Sequence, residues 1–130
     1  MSSIFSKIIS GKIPCYKIAE DDSFLAFLDI QPLVKGHTLV IPKKEIDYIF
    51  DIDDQTLSKM MVFSKMVAAK LKASMPCDRI GISVIGLEVP HAHVHLVPIN
   101  EIQDMNFSKA KLELSDTEMI AIQSRIVKQA

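Results

Sequence analysis

The chain has no apolar run approaching the ~20 residues that a bilayer-spanning helix requires, although 48% of its 130 residues are hydrophobic. Neither sign of charge dominates: 15 Lys and Arg against 16 Asp and Glu leave a formal net charge of −1. That balance argues against an electrostatic nucleic-acid binder. Only two cysteines occur, Cys15 and Cys77, far apart and without C-x-x-C spacing. Residues 1–7 also lack the continuous apolar stretch of a signal peptide, so a cytoplasmic location is expected. Both thiols are then expected to be reduced and to serve as small buried hydrophobes. No internal repeat, linker or low-complexity segment interrupts the sequence. Its length suits one domain over residues 1–130, with enough chain to bury a real core.

Histidine, by contrast, is concentrated. Three of the four fall in Pro90-His91-Ala92-His93-Val94-His95-Leu96-Val97-Pro98, at strict alternation with apolar partners. In an extended strand His91, His93 and His95 share one face, spread over roughly 13 Å, while Ala92, Val94 and Leu96 point into a core. A helix would splay the imidazoles around its axis. Pro90 and Pro98 bracket the strand, as suits residues that cannot donate to a sheet ladder. Such a row of imidazoles has three readings. It is a solvated polar face, a His-x-His metal site, or a center for nucleophilic and acid–base chemistry on a phosphoryl group.

The remaining pattern supplies the frame. Residues 4–9 carry a short helical stripe stopped by Ser10-Gly11 and Pro14. Strands are expected at Tyr16–Ala19, Ser23–Leu28, His37–Ile41 and Ile80–Ile85, each closed by turn residues or proline. Asp53 or Asp54 caps a long helix reaching about Ala73. Its main stripe is Leu57, Met60, Met61, Ser64, Val67, Ala68 and Leu71. Phe63 and Met66 widen that stripe, either for deep packing or for a second subunit. Ser115 with Glu118 forms a capping box at the start of a last helix, about 115–128, whose apolar face continues through Ile122 and Ile126. Five strands with short connections and segregated helices give an antiparallel α+β domain, with one long helix and shorter terminal ones.

Taken together, these segments resemble the histidine-triad (HIT) family, and more closely its Hint-like branch of purine-nucleotide phosphoramidases. The resemblance covers roughly residues 4–98. It rests on His-x-His-x-His-x-x at His91 to Val97, on Ile4-Phe5-Ser6-Lys7-Ile8-Ile9 with Gly11-Lys12-Ile13-Pro14, on Phe27-Leu28-Asp29-Ile30-Gln31-Pro32, and on Gly36 to Lys44. The segment beyond residue 98 is an extension that would shape substrate entry or a partner surface.

The resemblance implies a HIT-like fold, a homodimer and a purine nucleotide of the AMP type as ligand. His93 would attack the α-phosphate and become nucleotidylated, and His95 would hydrogen-bond a phosphate oxygen. His91 and His37 would orient the cluster. Phe5, Ile8, Phe27 and Ile30 would line the base pocket, with Asp29 on the ribose hydroxyls. Taken singly, Asp29 also reads as a strand-ending turn residue, and Phe5 and Phe27 as core.

Two departures qualify the likeness. Many bacterial relatives bind a structural zinc through Cys-x-x-Cys, a histidine after the paired lysines, and the first triad histidine. Here Ser3, Ser6 and Glu45 stand at those positions, so no zinc or other cofactor is expected. The connection before the triad is only Gly86-Leu87-Glu88-Val89-Pro90, with Glu88 where relatives carry a hydroxyl. The expected activity is hydrolysis of purine nucleoside 5′-phosphoramidates or related adenylates. The alternatives are hydrolysis of dinucleoside polyphosphates, a non-catalytic nucleotide-binding module, or a histidine metal site.

Overall fold

The computed structural model describes residues 2–129. Ser3 opens the first helix, α1 (Ile4–Ile9), by accepting the Ser6 N–H on its hydroxyl. Gly11, at φ 82°, turns the chain away from it. Then come β1 (Lys17–Glu20), β2 (Phe24–Leu28), β3 (Thr38–Pro42), α2 (Asp54–Ser74), β4 (Arg79–Ser83), β5 (Val94–Ile99) and α3 (Asp116–Val127). The strands form one sheet in the order β1-β2-β3-β5-β4, with every neighboring pair antiparallel. This is the expected α+β architecture.

Each face of the sheet has its own core. Phe24, Ala26, Leu28, Val40, Val94 and Leu96 pack with Met60, Phe63, Val67 and Leu71 of α2 and Met119, Ile122 and Ile126 of α3. Leu25, Phe27, Leu39 and Ile41 face the other way and pack against Phe5 of α1. Every residue of β2 and β3 is therefore buried. Their unbroken apolar sequence reflects cover on both faces rather than a half-solvated sheet.

The histidine segment departs from expectation. β5 starts at Val94, so His91 and His93 precede the ladder rather than belonging to it. The reason is in the backbone: His91 N–H turns back to the Val89 carbonyl, and Ala92 N–H goes to Ile46 in the loop after β3. Alternation survives nevertheless, with Ala92, Val94 and Leu96 in the α2-side core as expected. Pro98 lies inside β5, opposite Ile80, instead of bounding it. Pairing with β3 has already ended at Thr38–Leu96, so the missing N–H costs no bond on that side. Gly36 fills this corner at φ 94°. A Cβ there would stand 3.0 Å from Met75 Cγ and 3.2 Å from Pro98 Cγ.

Asp53 caps α2 through the Thr56 N–H. The wide stripe divides: Phe63 is buried against Phe24, with ring centroids 5.6 Å apart, whereas Met61, Val62 and Met66 are exposed. α3 begins with the expected Ser115–Glu118 capping box. It is tied to the body by Arg125 on the Ser74 carbonyl and Tyr16 on Asp116. β4 stops at Ser83, leaving Val84 and Ile85 partly exposed. Cys15 and Cys77 are free and half-buried, short of the full burial expected. No helix among the described residues is long and apolar enough to cross a membrane.

Candidate active site

The four histidines meet on the α1 side of the sheet. His37 immediately precedes β3, and Leu39 pairs with His95 across β3 and β5, which brings the two rings together. All four are buried. Their hydrogen bonds fix where each proton sits. Leu33 N–H donates to His37 Nδ1 at 3.0 Å, so the His37 hydrogen is on Nε2. That Nε2 lies 2.9 Å from His95 Nδ1 and donates to it, which puts the His95 hydrogen on Nε2. His93 Nδ1 donates to the His91 carbonyl at 2.8 Å, leaving a lone pair on His93 Nε2. His91 Nε2 donates to the Pro42 carbonyl at 2.8 Å, and its Nδ1 accepts the Ser3 hydroxyl at 2.8 Å. His93 and His95 therefore present opposite functions side by side, their ring centroids 4.8 Å apart. One offers a lone pair and the other an N–H.

Burial favors the neutral forms of His37, His95 and His91. It lowers the His37 pKa to about 3, with repulsion from His95, Lys111 and His93 adding to the effect. His95 falls to about 4, again through burial first and then His93 and Lys111. Burial also lowers His91, against the opposing pull of the Pro42 carbonyl and Glu45.

A cleft of about 270 Å³ opens beside the triad, lined by Asp29, His37, His95 and Gly86 to Glu88, and by Phe107, Ser108 and Lys111. Asp29 is held by the Gln31 N–H at 2.9 Å, and its other oxygen lies 3.6 Å from His37 Nε2. Burial raises its pKa, partly offset by that N–H and by His93 and Lys111. Of the remaining expected ligand contacts, Phe5 and Phe27 meet edge to face at 5.5 Å, and Phe5 stands 5.1 Å from the His93 ring. Ile8 packs beside them. Phe5 and Phe27 are closed into the second core, and Ile30, next after Asp29 in the chain, is 69% exposed.

Phe107, Ser108 and Lys111 escaped the sequence reading. They belong to the segment after β5, which folds back across the triad and is pinned by Leu112 N–H on the Pro32 carbonyl. Phe107 sits 4.8 Å from the His95 ring and 6.2 Å from His37. A usable signal existed: Phe107 is the one aromatic residue after Phe63.

A model of the HIT domain matches residues 10–102 of the sequence. The chain belongs to the HIT family. An uncharacterized HIT-like protein of Borreliella burgdorferi is 35% identical over 130 aligned residues, covering 92% of this chain and 94% of its own. A HIT-like protein from Bartonella henselae superposes with a TM-score of 0.83 at 29% identity, over 97% of this chain and 95% of that one. A zinc-bound histidine triad family protein from Mycobacterium smegmatis gives 0.80 at 29% identity, over 98% and 95%.

That last neighbor prompts a test of whether this HIT protein has a place for zinc. Ser3, Ser6, Glu45 and His91 do converge, but as a closed hydrogen-bond network. Ser3 N–H and the Ser6 hydroxyl both donate to Glu45 Oε1 at 2.6 Å, while the Ser3 hydroxyl holds His91 Nδ1. Two neutral hydroxyls are poor substitutes for thiolates, and the imidazole nitrogen is already engaged. Asp29, His37 and His95 also place ligand-type atoms within 4.8 Å of one another. There both His37 nitrogens are occupied, one by Leu33 and one by His95. Neither donor set fits a metal without breaking bonds that organize the triad.

Proposed function

We propose that this HIT protein binds a purine nucleotide of the AMP type and hydrolyzes purine nucleoside 5′-phosphoramidates or related adenylates, in the manner of the Hint-like branch. The observation that carries the reading is the proton order across the histidines. His93 Nε2 holds a lone pair, and the neighboring His95 Nε2 carries a hydrogen that no protein group accepts among the described residues. In the first step His93 Nε2 bonds to phosphorus as the phosphorus–amine bond breaks, and the departing amine takes a proton from solvent. The His91 carbonyl, already bonded to His93 Nδ1–H, stabilizes the positive ring that results. Water then attacks phosphorus, the phosphorus–imidazole bond breaks, and a proton returns to solvent.

His95 acts here as a neutral hydrogen-bond donor to a phosphoryl oxygen, since giving up its hydrogen would leave an imidazolate. Asp29 accepts from the ribose, and Ile8 and Ile30 flank the base, backed by the buried Phe5 and Phe27. Glu88, on the loop wall of the cleft, faces the amine leaving group. No metal takes part and no structural zinc is held. A nucleotide ligand is supported by the Candida albicans neighbor, a histidine triad nucleotide-binding protein with TM-score 0.66 and 31% identity, over 88% of this chain and 82% of that one.

The site belongs to a cytoplasmic homodimer. β4 is an edge strand that exposes Ile82, and beside it Val84, Phe50 and Met61 are exposed around an apolar hollow of about 290 Å³. Exposed apolar surface next to an unpaired sheet edge suits a second copy of the chain. Sedimentation at micromolar concentration is expected to give twice the chain mass; a monomer would remove this element.

Steady-state release of AMP from an adenosine 5′-phosphoramidate tests the activity. Wild-type protein turns over, and His93→Ala loses at least 1,000-fold while still binding AMP, the order of effect expected for a covalent nucleophile. Unchanged turnover would remove His93 from its role. AMP binding without turnover by the wild type would leave a nucleotide-binding module.

A further inference from the structure

The cleft carries a charge problem that the histidines do not solve. Its lining includes two carboxylates, Asp29 and Glu88. The imidazoles beside them are held neutral, and His37 has no free N–H to offer. His95 contributes one N–H. A phosphoryl group entering this space would meet one neutral donor and two like charges.

Lys111 is the one lysine or arginine in the lining among the described residues. No carboxylate pairs with it among those residues. Its ammonium donates to the Phe107 carbonyl at 2.6 Å, with Lys109 O at 3.5 Å, and stands 5.8 Å from the Phe107 ring center. Phe107 in turn packs on His95. The Leu112–Pro32 bond fastens the same segment to the turn that carries Asp29. Ammonium, aromatic ring and triad imidazole are thus one packed unit. An ammonium has three N–H groups, and two carbonyls at most are in reach, so a donor remains for the cleft.

We propose that Lys111 is the phosphate-binding cation of this site, delivered by the segment that follows β5. The proposal rests on the nucleotide reading above and adds to it a specificity-determining residue outside the histidine cluster. A ligand is selected for a phosphoryl group at the position Lys111 reaches. The bare nucleoside gains nothing from it.

Calorimetric titration of AMP and of adenosine into wild type, Lys111→Gln and Lys111→Arg tests this. Loss of a charge-assisted contact is expected to weaken AMP binding by about 10- to 100-fold in Lys111→Gln. Adenosine affinity stays unchanged, and Lys111→Arg recovers AMP binding to within a few-fold. Equal AMP affinity in wild type and Lys111→Gln would overturn the proposal and leave Lys111 as a brace on Phe107, with the nucleotide reading intact. Equal loss for AMP and adenosine would likewise mean a structural role. Failure of wild type to bind AMP at all would overturn the nucleotide reading and this proposal with it.

Discussion

His37 Nε2 lies 2.9 Å from His95 Nδ1, and Leu33 N–H decides which of the two owns the proton. A backbone N–H can only donate, so a residue outside the histidine cluster fixes the hydrogen that His95 presents to the cleft. His37→Phe keeps the ring but leaves Leu33 N–H and His95 Nδ1 without partners. Buried, unsatisfied groups of this kind cost about 1–3 kcal/mol each, so urea unfolding is expected to show a loss of roughly 2–6 kcal/mol. Turnover is expected to fall at least tenfold as His95 loses its fixed tautomer. Wild-type stability in this variant would show that the Leu33 bond does not set the state of the cluster.

Acid is expected to destabilize the protein as the pH falls below 6.5, through its buried histidines. His37 and His95 have folded-state pKa values of about 3 and 4, below the ordinary 6.5, because burial penalizes their charged forms. As pH falls below 6.5 the unfolded chain takes up these protons and the folded chain does not. The stabilization is fully present above pH 6.5 and is lost on the way down to about 4 for His95 and about 3 for His37. Each histidine contributes a slope approaching ~1.4 kcal/mol per pH unit. Unfolding free energies between pH 7 and 4.5 check this. A flat profile would contradict the burial argument.

The Ser3–Ser6–Glu45–His91 network is expected to exclude zinc. Metal analysis of dialyzed wild-type protein should find far less than one zinc per chain. A Ser3→Cys, Ser6→Cys, Glu45→His variant, with His91 as fourth ligand, should bind one zinc, since the two serines and His91 already meet through Ser3 Oγ. Stoichiometric zinc in the wild type would overturn the fit argument. Ser3→Ala alone removes both the α1 cap and the His91 Nδ1 partner, at an expected cost of about 1–3 kcal/mol.

Gly36→Ala tests the corner behind the triad. The residue sits at φ 94°, and the added methyl would press on Met75 and Pro98. Backbone strain and crowding together are expected to cost about 2–4 kcal/mol, read as a lowered urea midpoint at unchanged slope.

Much of this was legible from the chain because it rests on short-range chemistry. Asp53 and Ser115 announced their helices through side-chain oxygens placed to accept N–H groups three residues on. Ala92, Val94 and Leu96 announced the buried side of the histidine segment by alternation. Where the strand began was not legible, because the Ile46 carbonyl that captures Ala92 N–H is 46 positions away. Pro98 inside β5 was hidden for a similar reason: it depends on where β3 ends, a matter of register. The site divides along the same line. The four histidines and Asp29 carried a recognizable spacing, whereas Phe107 and Lys111 reach the cleft only because a long segment folds back. Leu33 was invisible, since its contribution is a backbone N–H.

The central claim is that His93 Nε2 is a nucleophile. Rapid-quench reaction of pure protein with an adenosine 5′-phosphoramidate, followed by intact mass and peptide mapping, tests it most directly. The account predicts a transient adenylated species on the peptide carrying His93, formed no later than AMP and absent in His93→Ala. AMP release with no adduct at any time, or an adduct that persists in His93→Ala, would contradict it.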